Sequence, residues 1–135
     1  LLSFSKHAPK DKKIIIKHHP MDRGRIDYSK FIADLSQELN ISNRVKVVHD
    51  VHLPTLLKNA IGTITINSTV GLSSLYHETP VICLGRAMYD IEGLTAKDVD
   101  LDGFWSLDLQ VNKGLYKKFR VYLVKNTQVN MSFYK

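Results

Sequence analysis

One cysteine, Cys83, stands in a chain of 135 residues. A single thiol cannot close an internal disulfide, and such sparing use fits a reducing compartment. Cys83 lies inside the apolar run Val81-Ile82-Cys83-Leu84 and reads as a small core residue. No apolar stretch approaches the ~20 residues that a membrane-spanning helix needs. There is no Gly-x-Gly-x-x-Gly and no Walker loop, which argues against dinucleotide binding and NTP hydrolysis. The nucleophile elbow Gly-x-Ser-x-Gly is missing too, which argues against a serine hydrolase of that design. His18, His19, His49 and His52 could gather round an ion, but no pair sits at zinc-ligand spacing on one element and no cysteine assists. No metal is therefore assigned. The RNA-binding aromatic motif and zinc-finger spacings are also absent, so nucleic acid is not an expected partner.

Acids are fewer than bases, 13 against 19, which leaves a net charge of +6. The surplus sits partly in Lys6, Lys10, Lys12 and Lys13 and partly in Lys113, Lys117, Lys118 and Arg120. Such clusters are commonly solvated faces, yet the balance favours anionic partners: nucleotides, acidic sugars or anionic lipid surfaces. Hydrophobic residues make up 44%, enough for a globular fold with a real core. The opening Leu1-Leu2-Ser3-Phe4 has no initiator methionine and reads as the interior of a longer protein.

Along the chain, short β-branched runs alternate with segments of helical spacing. Residues 1–12 read as polar and basic, the end of a preceding element or a frayed linker. Lys13–Lys17 reads as a strand, His18–Asp27 as a loop and Tyr28–Leu39 as a helix with Asp27 at its cap. Arg44–Val48 is a second strand. Leu53–Ala60 is a short helix with Pro54 in its first turn. Thr63–Ile66, Ser68–Glu78 and Pro80–Leu84 follow as strand, helix and strand. Asn112–Lys125 predicts a last helix with Leu115, Phe119, Tyr122 and Leu123 on one side. The strands are continuous apolar runs, the mark of a parallel sheet covered on both faces. The expected fold is α/β and Rossmann-like, one domain over residues 1–135.

In open parallel sheets, ligands sit beyond the carboxyl ends of the strands. Four polar loops fall there: His18-His19-Pro20, His49-Asp50-Val51-His52, Asn67-Ser68-Thr69 and Gly85-Arg86. Asn67, Ser68 and Thr69 stand where a helix start leaves backbone N–H groups unpaired, a place to hold a phosphate. Ser68 could equally cap its own helix. His19, biased towards extended backbone by Pro20, could donate to a phosphate oxygen or bond a neighbouring carbonyl. Asp50 could accept from a ribose or order its own turn. Arg23 and Arg25 could reach an anion bidentately or remain solvated.

The ordered series Ile16-Lys17-His18-His19-Pro20, His49-Asp50-Val51-His52-Leu53-Pro54 and Asn67-Ser68-Thr69-Val70-Gly71-Leu72 resembles the bacterial capsule polysaccharide biosynthesis and export family. Pro80 to Asp90 and Phe104-Trp105 continue the likeness, which covers residues 13–106. That family includes β-Kdo transferases and is similar in layout to bacterial sialyltransferases. The resemblance implies the C-terminal half of a GT-B glycosyltransferase that takes Kdo from CMP-Kdo to a lipid-linked acceptor. It implies no cofactor. It matches His19-Pro20 and Ser68-Thr69 to the two motifs that hold the CMP phosphate, with Asp50 a weaker contact to ribose or cytosine and His18 an adjacent candidate. The catalytic carboxylate would lie in the other half, so this chain alone is expected to have little or no transferase activity. A cytoplasmic protein is implied, with peripheral attachment to the inner membrane and capsule assembly proteins as further partners. Two alternatives stand beside it: a nucleotide-sugar epimerase-like domain, and a non-catalytic export or assembly module.

Overall fold

Four short β-branched runs each meet a parallel partner, and helices fill the intervals between them. The computed structural model describes residues 1–18 and 27–127. In chain order the elements are α1 (Leu2–His7), β1 (Ile14–Lys17), α2 (Ser29–Glu38), a 3-10 turn (Ser42–Arg44), β2 (Val45–Val48), α3 (Leu53–Lys58), β3 (Thr63–Thr65), α4 (Val70–Tyr76), β4 (Val81–Cys83), α5 (Leu101–Phe104) and α6 (Lys113–Thr127). The α/β alternation is therefore present. The strands pair as two two-stranded parallel sheets, β1 with β2 and β3 with β4, rather than as one continuous sheet. The described residues gather into two compact units. One takes Leu1–Leu53 with Val99–Asp108, the other Pro54–Asp98 with the described residues from Leu109 onward.

In the first unit, Ile14 pairs with Val45 and Lys17 with Val48. Helix α2 packs against β2. The pair is not covered on both faces as expected: Ile15 is 45% exposed. Of the two readings of residues 1–12, the frayed linker is corrected: they carry helix α1. Phe4 and Ala8, four apart on one helical face, are buried with Ile41, and Trp105 packs edge-on against Phe4 at 5.2 Å. Arg44, expected to begin a strand, is buried at the end of the 3-10 turn. Its guanidinium donates to the carbonyls of Lys12 at 2.9 Å and Pro9 at 2.6 Å, and lies 4.4 Å over the Phe4 ring. Such a fan of donors is how a buried guanidinium is satisfied, and its charge also helps to lower the nearby Asp11 carboxyl, after the larger effect of Lys12. The N-cap of α2 is Tyr28 rather than Asp27; Asp27, one residue earlier, accepts from the Ser29 N–H at 2.8 Å. That bond holds its carboxyl below the usual value, with lesser help from His18 and His49. Phe31, at helical spacing from Tyr28 and Leu35, faces outward at 64% exposure, while Ile32 and Ser36 are buried. Asp100 caps α5 through the Gly103 N–H at 2.7 Å, in a stretch whose sequence gave no clear pattern.

In the second unit, Thr63, Ile64 and Thr65 pair with Val81, Ile82 and Cys83. The ladder continues past the strands, from Leu84 N–H to Thr65 and from Gly85 N–H to Ile66, at 2.8 and 3.0 Å. The core is Leu75, Val81, Tyr89, Leu94 and Phe119, with Cys83, Leu115 and Leu123 packed against it. On α6 the Leu115–Phe119–Leu123 face is thus inward, but Tyr122, placed with them by spacing, is 62% exposed. Ser74 on α4 is fully buried and donates to the Thr63 hydroxyl at 2.8 Å, fixing helix to strand. Thr79 donates to the Leu57 carbonyl and anchors α3. No helix among the described residues is long and apolar enough to cross a membrane.

Candidate functional site

The parallel pairs send polar loops from their carboxyl ends, and each unit presents its own. In the first unit, β1 runs into His18. Its backbone N–H donates to Val48 at 3.1 Å, which extends the β1–β2 ladder by one bond. The imidazole packs edge-on against His49 at 4.6 Å between ring centres and against Tyr28 at 5.8 Å. Its Nε2 is buried and has no hydrogen-bond partner among the described residues. Buried polar nitrogens are rarely left so, which marks this atom as a candidate donor or acceptor for a ligand. His49 and Asp50 are exposed on the following loop. The structure therefore brings His18 and His49 into contact, with Asp50 next in sequence. His19, Pro20, Arg23 and Arg25 lie outside the described residues.

In the second unit, the loop after β3 is held at every backbone polar group of Ser68. The Ser68 N–H donates to the Thr65 hydroxyl at 3.1 Å. Its carbonyl accepts from the Gly71 N–H at 3.0 Å and from the Tyr89 hydroxyl. Its own hydroxyl oxygen accepts from the Val70 N–H at 3.2 Å. Two of the N–H groups expected to be unpaired at this helix start are thus already taken, and α4 is only seven residues long. The expectation of an anion held by free backbone N–H groups is corrected to that extent. What the loop offers is side chains. Ser68 accepts from Val70 and still has its O–H to donate. Asn67 and Thr69 are exposed and make no side-chain hydrogen bond among the described residues. Capping by Ser68 and donation by Ser68 are compatible, as one hydroxyl has both a proton and lone pairs.

Sequence reasoning missed the residues that hold this loop. Tyr89 is 2% exposed and its ring lies against Gly71. Burial pushes its phenol up to about 12, aided by the neighbouring Cys83. The Cys83 thiol is raised as well, chiefly by burial. Both shifts run away from ionisation near neutral pH. The signal for Tyr89 was available in principle, as the one aromatic in Gly85-Arg86-Ala87-Met88-Tyr89-Asp90. Its partner, a backbone carbonyl 21 residues away, was not.

The chain is of the α/β class with parallel strand pairs, and its polar loops lie at the strand ends where ligands sit in open α/β sheets. Comparison with known proteins narrows the class. Residues 1–134 match the family described as "Capsule polysaccharide biosynthesis protein". The chain is 46% identical over 134 residues to the Escherichia coli capsule polysaccharide export protein KpsS, covering 99% of this chain and 34% of that protein. It is 49% identical over 135 residues to the capsule polysaccharide modification protein LipB of Neisseria meningitidis serogroups A and B, covering 99% of this chain and 32% of those proteins. No solved structure matches. The chain belongs to the capsule polysaccharide biosynthesis family, and it spans about a third of the length of the curated relatives it matches.

Proposed function

We propose that this chain is a Rossmann-like donor-nucleotide-binding domain of a capsule glycosyltransferase, and that its donor is CMP-Kdo. The loop Asn67-Ser68-Thr69 is assigned to the CMP phosphate; by resemblance alone, His19-Pro20 is a separate candidate for phosphate and Asp50 for ribose or cytosine. His18, with its buried Nε2, is a further candidate. Arg23 and Arg25 are assigned to the acidic groups of the donor. Each loop is a candidate in its own right and is tested by its own substitution. The acceptor is proposed to be lipid-linked, with the protein acting at the cytoplasmic face of the inner membrane among capsule assembly proteins.

The observation that carries this reading is the Ser68 loop: the backbone N–H and carbonyl of Ser68 are bonded while three hydroxyl or amide side chains remain to donate. Such an arrangement suits transfer chemistry. As the glycosidic bond to Kdo breaks, negative charge grows on the departing CMP phosphate. Donors already in place stabilise that charge without reorganising, so they lower the barrier rather than only tightening substrate binding. The family match and the relatives' names, polysaccharide modification and export, are consistent with this role. The basic balance of the chain, +6 overall, favours a donor with a phosphate and a carboxylate.

The test is Kdo transfer by the full-length protein. Incubation with CMP-Kdo and a lipid acceptor is expected to yield Kdo-lipid, and Ser68→Ala to lower the rate at least tenfold. Absence of transfer, together with retention of capsule assembly proteins in a pull-down, would replace the enzyme with the non-catalytic module that the word "export" in one relative's name suggests. The chain of 135 residues alone is expected to be inactive, as it would supply the donor side of the reaction only.

A further inference from the structure

We propose that Tyr89 is a positioning residue for the phosphate loop: its buried hydroxyl fixes the Ser68 backbone so that the Ser68 side chain meets the nucleotide phosphate. The inference rests on the assignment of Asn67-Ser68-Thr69 to that phosphate. Tyr89 comes from the segment that follows β4 and is 2% exposed, inside the core formed with Leu75, Val81 and Phe119. From there its O–H reaches out to the Ser68 carbonyl. The ring lies so close to α4 that a Cβ on Gly71 would stand 2.3–2.4 Å from its hydroxyl oxygen and two ring carbons. The first turn of the helix and the tyrosine are thus fitted to one another, and the glycine is what allows it.

A core tyrosine needs some hydrogen-bond partner for its hydroxyl, and that need alone could explain the bond. Two details point further. The Ser68 carbonyl already accepts from the Gly71 N–H, so Tyr89 supplies a second bond to a group that had one. The Ser68 N–H is tied to the Thr65 hydroxyl, which also interacts with the Tyr89 hydroxyl. The residue is clamped on both sides of its Cα while the neighbouring Asn67 and Thr69 side chains stay exposed. Clamping of that kind sets the direction of a side chain in advance, which reduces the ordering that binding would otherwise require.

Tyr89→Phe keeps the ring against Gly71 and removes only the hydroxyl. The measurement is calorimetric binding of CMP and of cytidine to the full-length protein, in wild type, Ser68→Ala, Tyr89→Phe and the double variant. Cytidine lacks the phosphate, so the ratio of the two affinities isolates the phosphate contact. Tyr89→Phe is expected to reduce the CMP-over-cytidine preference about three- to tenfold, the worth of one hydrogen bond. Cytidine binding should be unchanged, and Tyr89→Phe should add little in the Ser68→Ala background. A merely structural tyrosine would weaken both ligands together or leave the ratio alone, and either result overturns the positioning role. If Ser68→Ala abolishes the preference while Tyr89→Phe preserves it, the loop assignment stands and this inference falls. If wild type shows no preference for CMP, the loop assignment itself falls and takes the inference with it. Gly71→Ala gives a second route: by displacing the ring it should lower the same ratio with the hydroxyl still present.

Discussion

Gly71→Ala sets two forces of opposite sign against one another. By helix propensity alone, alanine in the first turn of α4 should stabilise the protein by about 1 kcal/mol. The structure predicts the reverse. The new Cβ would stand 2.3 Å from the Tyr89 hydroxyl oxygen and 2.4 Å from two of its ring carbons, well inside contact distance. Tyr89 cannot swing away cheaply, because it is 2% exposed and walled by Leu75, Val81, Leu94 and Phe119. Overpacking of this kind costs about 1–3 kcal/mol. Loss of the Tyr89–Ser68 hydrogen bond adds about 1 kcal/mol. Against the propensity gain, the net is a destabilisation of about 1–3 kcal/mol. Native-state amide exchange reads this unit directly. The Ala96 N–H, bonded to the Val81 carbonyl at 2.8 Å, is the reporter, and it should exchange about five- to hundredfold faster in the variant where it opens with its unit. Tyr89→Leu should relieve the clash, so the double variant should be less unstable than the sum of the singles by at least about 1 kcal/mol. A Gly71→Ala protein more stable than wild type would refute the close approach and the loop geometry built on it.

Arg44→Ala should destabilise the first unit by about 2–4 kcal/mol. The guanidinium bonds are charge-assisted, but Pro9 lies exposed and can regain water when its donor is lost. Arg44→Lys should fall between, as an ammonium lacks the fork and the flat face that lies over Phe4. Urea unfolding followed by Trp105 fluorescence measures both, and equal stability of all three proteins would contradict the buried fan of donors. Tyr89 also predicts a pH dependence. Its phenol is raised from the ordinary 10 to about 12 by burial, so between those values the unfolded chain has released a proton that the folded chain retains. Stability from this group is therefore intact below pH 10 and is lost as pH rises towards 12. Unfolding free energy measured from pH 9 to 11.5 should fall more steeply in wild type than in Tyr89→Phe, and parallel curves would count against the buried phenol.

Much of the alternation was legible because short β-branched runs and helical spacing are local properties. The strands at Ile14–Lys17, Val45–Val48, Thr63–Thr65 and Val81–Cys83 fall within the runs that the sequence marks. Helix α1 was missed: Leu1, Phe4 and Ala8 fall at helical spacing over only eight residues, and their burial depends on Ile41 and on Trp105 a hundred residues later. The strand pairing as two separate pairs was not legible either, because an apolar run states that a strand is covered without stating what covers it. Phe31 and Tyr122 show the limit of periodicity: both lie one position off the inward face of their helices, close enough to be grouped with it and far enough to be exposed. At the candidate site, the polar residues were visible as types. Their commitments were not. That Ser68 is held by Thr65, Gly71 and Tyr89, and that His18 packs on His49, follows from contacts no spacing encodes.

The account stands or falls on the Ser68 hydroxyl meeting a nucleotide phosphate. Titration of the full-length protein with CMP and with UDP, followed by calorimetry before and after Ser68→Ala, measures it most directly. The expected result is saturable binding of CMP, weaker binding of UDP, and a loss of CMP affinity of about tenfold or more in the variant, in keeping with a hydrogen bond to a charged group. CMP affinity unchanged by Ser68→Ala in a folded protein would contradict the claim, and tighter binding of UDP would transfer the site to a uracil nucleotide.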